Sequence, residues 1–236
     1  MTDGDLQRIE GELEKRRTFC RRRVHEAVST EDLKALLQEM YADWIKNDGY
    51  EKDMEVLGFT AHIELAETVS HFIPDRTSRL LDCASGTGLL GQELKKRGFL
   101  RIDALDASKE SLDYSREKQV YTDYLCEYLG PNRLAIDDDT YDGICMCAAM
   151  GKAHVRPDCF PELVRITKPG GYIIFNVRGE NLTIDDVLKN GRLDDVIHKM
   201  AAKGKFEYLE KKRQMYMQCK CNGKTEYCYA FVLRVM

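Results

Sequence analysis

The chain has 236 residues, which is enough for one α/β domain with a sizeable hydrophobic core. Its 43% hydrophobic and 32% charged residues exclude a disordered chain, and its net charge of −4 predicts no general attraction to nucleic acid or acidic membranes. No apolar run approaches the ~20 residues of a membrane span, and the charged start lacks the apolar core of a secretory signal. We therefore expect a cytoplasmic protein without a membrane segment.

The nine cysteines agree with that compartment. None has C-x-x-C spacing, and nine is an odd number in a chain too large to need disulfides. We expect reduced, mostly buried thiols. Because the usual spacings of zinc ligands are missing, we expect no metal site.

Helical spacing of apolar residues predicts a first helix over 3–27. Its basic segment KRRTFCRRR, residues 15–23, is either an anion or RNA contact or a solvated helix face. Acidic residues flank the segment on both sides, which favours the solvated face.

Two further helices are predicted before residue 79. One begins at a cap, Ser29 or Thr30, and is broken by KNDGY at 46–50. Another covers 60–72.

From residue 79 apolar strands alternate with helices. The predicted strands are RLLDCA, RIDALDAS, YTDYLCEYL, YDGICMCAAM and YIIFNVR, and the predicted helices between them cover 88–97, 108–118 and 157–167. This alternation predicts a parallel sheet with helices on both faces. The chain then ends in two long strands around Asn222-Gly223, a strong hairpin signal, so this last pair must be antiparallel.

The segment LLDCASGTGLLG, residues 80–91, contains G-x-G-x-x-G between a predicted strand and a predicted helix. Such a turn lets the backbone approach a ligand, and Asp106 at the end of the next strand can accept hydrogen bonds from a ribose. These features fit a nicotinamide dinucleotide and a methyl donor equally well.

Three observations favour the methyl donor. Asp82, placed inside the predicted turn, would repel a pyrophosphate but can help to hold an ammonium group. The terminal hairpin departs from the all-parallel order of a dinucleotide fold. About 80 residues precede the loop, whereas a dinucleotide domain often begins nearer its first strand.

The chain resembles class I S-adenosylmethionine-dependent methyltransferases. LLDCASGTG resembles their first motif, and IDALDAS, YDGICMCAAM and ELVRITKPGGYIIFNVR resemble the segments that follow it, in order over 79–178. Within the class, YADWIKNDGYEKDM and PELVRITKPGG resemble the methyltransferase-like group of the Williams–Beuren region type. The resemblance implies a Rossmann-like seven-stranded sheet, mostly parallel with a C-terminal antiparallel hairpin, and S-adenosyl-L-methionine as cofactor.

It also implies a set of cofactor-binding residues. Backbone approach would come from the glycine turn, the ribose would bind Asp106, and adenosine would lie beside the two residues after it. The full set is Tyr41, Trp44, Asp82, Ala84, Gly86, Gly88, Asp106, Ala107, Ser108 and Cys147. Ala84 replaces the first glycine of the motif, and the turn tolerates it if its φ is negative. Tyr128 stands about where relatives carry an acid for the adenine amine, so that contact is in doubt.

Several of these residues keep a second interpretation. Tyr41 and Trp44 either cover the cofactor or pack as part of a helix face. Cys147 either offers its backbone carbonyl to the cofactor ammonium or is a core cysteine. His154 either serves as a general base for the acceptor or is structural or exposed. Ser108 can flank adenosine and cap a helix at once.

We predict a methyltransferase with a helical extension and lid over 1–58 and a methyltransferase domain over 59–236. The acceptor is a small molecule or a protein, and no catalytic residue can be assigned. The alternatives are a non-catalytic methyltransferase-like binding subunit and a nicotinamide-dependent oxidoreductase.

Overall fold

The computed structural model of the protein describes residues 11, 30–46, 49–151, 154–220 and 222–236. The predicted helix over 3–27, with its basic segment, lies almost wholly outside the described residues, as does Ser29. The described helices of four or more residues are α1 Thr30–Ile45, α2 Gly49–Val56, α3 Ala61–Phe72, α4 Leu89–Lys96, α5 Lys109–Glu117, α6 Phe160–Ile166, α7 Asn181–Ile184 and α8 Arg192–Ala202.

Seven strands form a single sheet in the order β3-β2-β1-β4-β5-β7-β6. Their bounds are β1 Arg79–Cys83, β2 Arg101–Asp106, β3 Tyr124–Cys126, β4 Tyr141–Met146, β5 Thr167–Arg178, β6 Phe206–Gln218 and β7 Thr225–Val235. The first five strands pair in parallel, and β7 pairs antiparallel with both β5 and β6. The predicted mostly parallel sheet with a terminal antiparallel hairpin is confirmed.

The central strands β1, β2, β4 and β5 are largely buried because helices cover both faces of the sheet, and their successive side chains point to opposite faces. In β1, Leu81 packs in the hydrophobic cluster that includes Phe160 of α6 and Leu193 of α8. Its neighbour Leu80 packs in the opposite cluster, which includes Leu65 of α3. Continuous apolar runs therefore form these strands, and the parallel ones end together at one edge of the sheet.

A third hydrophobic cluster attaches the N-terminal helices to the hairpin. Leu57 packs with Met217 and Cys219, and Trp44 and Phe59 lie against them. At this junction the amide of Gln218 donates to the carbonyl oxygen of Gly58 over 3.0 Å. The segment before α3 is thus held on the same edge of the sheet where the parallel strands end.

Gly58 has a structural reason for being glycine. Its φ is +60°, and an added Cβ would lie 2.1 Å from the carbonyl oxygen of Gln218. A side chain would therefore both strain the backbone and push the segment off β6.

The predicted helices and strands from α3 onward are found, with three differences. α2, α7 and α8 were not predicted, although α8 buries Leu193 and Ile197 on one face. β3 has only three residues, because the chain before it turns inward and buries Tyr121. The predicted KPGG turn belongs to β5, with Gly170 at a φ of +81°.

Candidate functional site

A cavity of about 340 Å³ opens where β1, β2, β4 and β5 end, under α1 and α2. Ligands of open α/β sheets bind at this edge, beside the point where strand order reverses. Nine of the ten predicted binding residues line the cavity: Tyr41, Trp44, Asp82, Ala84, Gly86, Asp106, Ala107, Ser108 and Cys147. The tenth, Gly88, does not.

The glycine turn is left-handed at three alternating residues. The φ angles of Ala84, Gly86 and Gly88 are +51°, +53° and +88°. The expected negative φ of Ala84 is wrong: the turn keeps the backbone form of the missing glycine and carries a methyl group in it. A non-glycine residue pays roughly 1–2 kcal/mol for that conformation.

Gly88 and Gly91 leave room for the ring of Tyr121. An added Cβ on Gly91 would lie 2.5 Å from the ring of Tyr121, and one on Gly88 would lie 3.2 Å from it. Because the ring packs closely against these glycines, the Tyr121 hydroxyl can donate to Asp82 over 2.6 Å. The sequence analysis did not identify Tyr121, whose partner is 39 residues away along the chain.

Asp82 lies in β1 rather than inside the turn, which corrects its predicted position. Its side chain is buried yet lines the cavity. Burial raises the pKa of this carboxyl to about 7, against the hydrogen bond from Tyr121, which lowers it. An incoming cation would restore the charged form.

Asp106 holds the turn in place. One carboxylate oxygen accepts from the amide of Gly86 over 2.8 Å, and the other accepts from the amide of Ser108 over 2.8 Å. Burial raises the pKa of Asp106, and these hydrogen bonds oppose the rise. Each oxygen keeps a further lone pair for a ligand. The Ser108 hydroxyl caps α5 by accepting from the Ser111 amide, so the predicted capping role is present.

α1 and α2 are tied to the loops below them by polar contacts. Gln38 donates to the carbonyl oxygen of Ala107 over 3.2 Å, and the Tyr41 hydroxyl lies 3.1 Å from Nε2 of His154. Glu51 pairs with Lys118, which also donates to the carbonyl oxygen of Thr87. Each of these anchors touches a loop that lines the cavity or contacts its glycine turn.

α1 and α2 together form a cover over the cavity, and aromatic rings lie on the face of the cover that is turned toward the cavity. Tyr41 stacks on Trp44 with ring centroids 6.2 Å apart, and Tyr50 meets Trp44 edge-on at 4.9 Å. Trp44 is fixed by donating to Asp53 over 2.7 Å. The rings pack together and also line the cavity, so the structure is compatible with both interpretations and the role of covering the cofactor stays a prediction.

Cys147 follows β4 and is held by a buried neighbour. Asn176 of β5 accepts from the amide of Ala148 over 2.7 Å and donates to the carbonyl oxygen of Ala61 over 3.1 Å. Burial raises the pKa of the Cys147 thiol, which therefore stays protonated. A polar residue inside the apolar run YIIFNVR was a signal for Asn176 that the sequence analysis did not use.

His154 and Tyr128 meet at the other side of the cavity. His154 faces Tyr41, and the Tyr128 hydroxyl lies 3.5 Å from the carbonyl oxygen of His154. Both residues line the cavity, and the adenine contact of Tyr128 stays a prediction in doubt.

Among the lining residues that were not predicted, His62 and Arg178 carry ionisable side chains. His62 stacks on Phe59 with centroids 5.2 Å apart. Arg178 at the end of β5 pairs with Glu226 and Glu180 and lies 5.5 Å from the ring centre of Tyr216. The Ser85 and Thr87 hydroxyls and Nδ1 of His62 are buried at this cavity without a hydrogen-bond partner.

These features fit an adenosyl cofactor with an amino-acid end. Asp106 offers paired acceptors to a ribose diol, Asp82 an acceptor to an ammonium, and Ser85 and Thr87 unused hydroxyls to polar groups. Over the described part of the chain, no cluster of three or more potential metal-ligating side chains occurs. Nor does any described helix combine the length and apolar character needed to cross a membrane.

Residues 81–175 match the family described as methyltransferase domain. Solved structures show the same fold at low identity. A possible histamine N-methyltransferase from Thermotoga maritima has a TM-score of 0.60 and 18% identity, over 83% of this chain and 97% of that one. Magnesium protoporphyrin IX methyltransferase from Synechocystis has a TM-score of 0.59 and 13% identity, over 89% of this chain and 99% of that one.

The sheet order, the glycine turn with its two aspartates and the domain matched over 81–175 indicate an S-adenosylmethionine-dependent methyltransferase, similar in fold to the class I enzymes. S-adenosylmethionine is accordingly its cofactor. Among relatives, the chain is similar to human methyltransferase-like protein 27, at 28% identity over 72% of this chain and 69% of that protein. It is 31% identical to malonyl-[acyl-carrier protein] O-methyltransferase of Erwinia pyrifoliae over 48% of this chain but only 42% of that enzyme.

Proposed function

We propose that the protein transfers the methyl group of S-adenosylmethionine to a small-molecule acceptor bound in the same cavity. The observation that carries this proposal is the cover: α1 and α2 close over the glycine turn and are tied down at Ala107, His154 and Lys118. A cavity of about 340 Å³ beneath a cover suits a small acceptor rather than a macromolecule.

The cofactor supplies an activated methyl group on a sulfonium, and the chain's residues position and shield it. We assign the ribose to Asp106 and the ammonium to Asp82 and the carbonyl of Cys147. Backbone approach occurs at Ala84 and Gly86, and Ala107 and Ser108 flank the adenosine. Gly88 contributes to the shape of the turn through its contact with Tyr121.

Tyr41 and Trp44 exclude water from the reaction in this proposal. Displacement at a methyl group needs in-line positioning and desolvation more than it needs a covalent intermediate. Residues 1–58 would form the cover and its extension, and 59–236 the catalytic domain. The junction at Gly58 supports this boundary, because the chain pairs with β6 there.

The acceptor side of the cavity is apolar and aromatic. Phe59, Tyr216 and Met217 line it, and Arg178 adds a charge that two glutamates hold in place. The relatives carry the names of enzymes for chemically different acceptors, among them a malonyl group on a carrier protein, so their likeness selects no acceptor. The free cysteines among the described residues support a cytoplasmic location.

Titration calorimetry with S-adenosylmethionine, S-adenosylhomocysteine and NAD tests the cofactor. A radiolabelled methyl donor, incubated with a cell extract split by ultrafiltration into small-molecule and macromolecular fractions, tests the acceptor. We expect label in the small-molecule fraction. Label confined to protein would contradict the small-molecule acceptor, and cofactor binding without any transfer would indicate a non-catalytic binding subunit.

A further inference from the structure

Three buried polar groups without partners line one cavity. The hydroxyls of Ser85 and Thr87 and Nδ1 of His62 have less than 1 Å² of exposed surface each and no hydrogen bond. Ser85 and Thr87 are 8% and 3% exposed as whole residues. Buried polar atoms without partners are rare in folded proteins, and each costs about 1–3 kcal/mol. A cluster of three such atoms at a binding site therefore indicates a missing ligand.

His62 is positioned for a ligand rather than for packing alone. It lies in the first turn of α3, which follows the Gly58 junction, and its ring stacks on Phe59. Phe59 in turn bridges to Met217 of β6. The imidazole is therefore fixed by an aromatic neighbour while its Nδ1 is left without a partner.

The charged groups around His62 come from two elements. Glu51 of α2 and Glu93 of α4 favour its protonated form, and Lys96 at the end of α4 and Arg97 directly after it oppose that form. Burial is the largest effect, and together with the two cations it outweighs the two glutamates and lowers the pKa of His62 to about 4. At neutral pH the ring is uncharged and offers a single N–H donor.

The identity of the missing ligand follows from the neighbouring carboxylate. Asp82 is an acceptor for the ammonium of the methionine part, and Ser85 and Thr87 follow it by three and five residues. An α-amino acid carries its carboxylate on the same carbon as its ammonium. An amino acid whose ammonium binds Asp82 therefore places its two carboxylate oxygens close by. Those oxygens need hydrogen-bond donors from the protein.

We infer that His62, together with the hydroxyls of Ser85 and Thr87, binds the carboxylate of the cofactor's methionine part. The inference rests on the proposed function, since it concerns the same cofactor. It assigns a binding role to α3, which precedes the matched domain at 81–175. Arg178 is a cationic side chain that also lines the cavity, but its guanidinium is engaged by Glu226 and Glu180.

The test uses two ligands that differ only in the carboxylate: S-adenosylhomocysteine and its decarboxylated amine. His62→Leu should weaken binding of S-adenosylhomocysteine by about tenfold, the loss of a hydrogen bond to a charged group, and leave the amine's affinity unchanged. His62→Asn, which keeps a donor near the position of Nδ1, should recover most of the loss. Calorimetry measures the affinities, and thermal unfolding checks that each variant folds.

Each contrary outcome has its own meaning. Equal loss of both ligands in His62→Leu would show that His62 only supports the cavity, and unchanged affinity for S-adenosylhomocysteine would place the carboxylate elsewhere. Either result would overturn the inference while leaving the proposed function intact. If the unmodified protein bound neither ligand, that result would instead refute the proposed function.

Discussion

Ala84 carries a methyl group in a left-handed backbone conformation, and the resulting steric strain lowers the stability of the fold. Replacement by glycine should remove this strain. Ala84→Gly should raise the free energy of unfolding by about 1 kcal/mol, because glycine adopts a φ of +51° without steric strain. Denaturant unfolding measures the change. Ala202→Gly at an exposed helical position of α8 is the control and should lower stability by about 0.5 kcal/mol. Equal destabilisation in both variants would contradict the strain at Ala84.

Asp82 should make cofactor binding depend on pH. Its pKa in the free protein is raised to about 7, mainly by burial, so below pH 7 a proton must leave before the ammonium can pair with the carboxylate. Affinity for S-adenosylhomocysteine should therefore fall between pH 8 and pH 6, by at most about tenfold per pH unit. His62, with a pKa of about 4, stays neutral over this range.

The matched control is Asp82→Asn, measured by the same calorimetric titrations. It should bind more weakly at pH 8 and show little of the decline at lower pH. A decline of equal size in Asp82→Asn would assign the titration to another group.

Asp106 should contribute to both stability and binding. Its two oxygens accept from the amides of Gly86 and Ser108, so Asp106→Ala leaves two partly buried donors without that partner and should lose about 2 kcal/mol of stability. The predicted loss of cofactor affinity should accompany it. Asp106→Asn keeps one acceptor and should retain more stability, while ribose binding still falls. A folded Asp106→Ala with normal affinity would show that the ribose binds elsewhere.

At the scale of elements, the strands were predictable because local patterns report them. Apolar runs of strand length, followed by helices with one apolar face, identify β1, β2, β4 and β5 without knowledge of tertiary contacts. α8 was missed although Leu193 and Ile197 recur four residues apart, because its charged residues resemble those of a loop. β3 was overestimated because the run YTDYLCEYL begins with Tyr121, whose side chain serves Asp82.

Site residues that belong to a sequence motif could be predicted. Site residues that only the fold brings together could not. The glycine turn and Asp106 lie in one continuous stretch with fixed spacing. Tyr121, Asn176 and His62 join the site from other elements, across contacts that no local pattern encodes. The φ of Ala84 was mispredicted because the turn is held by Asp106 and by Tyr121 packing, which outweigh one residue's preference.

Gly58 tests how firmly the cover is attached to the sheet. Gly58→Ala would place a Cβ 2.1 Å from the Gln218 carbonyl oxygen at a φ of +60°, so we expect stability to fall by about 2 kcal/mol or more and cofactor affinity to fall with it. Gly204→Ala is the matched control, since its φ is +67° and nothing lies within 4 Å of the added carbon. Thermal unfolding and calorimetry compare the two. Equal effects would show that backbone strain alone is responsible.

At the scale of the whole molecule, three parts surround the cavity: the cover formed by α1 and α2, the glycine turn, and the hairpin of β6 and β7. α1 and α2 rest on the hairpin through Gly58 and Leu57. They reach the opposite side through Gln38 and Tyr41. A ligand that fills the cavity would contact all three parts. Its binding energy should therefore stabilise the cover more than the rest of the protein.

This coupling can be followed at Trp44, the only tryptophan in the chain. Trp44 faces the cavity and is tied to Asp53, so S-adenosylhomocysteine should change its fluorescence and slow hydrogen exchange over 35–56. Peptides from α8, on the far side of the sheet, should change little. The Asp106→Ala variant, at a ligand concentration that it does not bind, is the control for direct quenching. If the ligand binds and neither signal moves, α1 and α2 are a fixed part of the core and do not act as a lid.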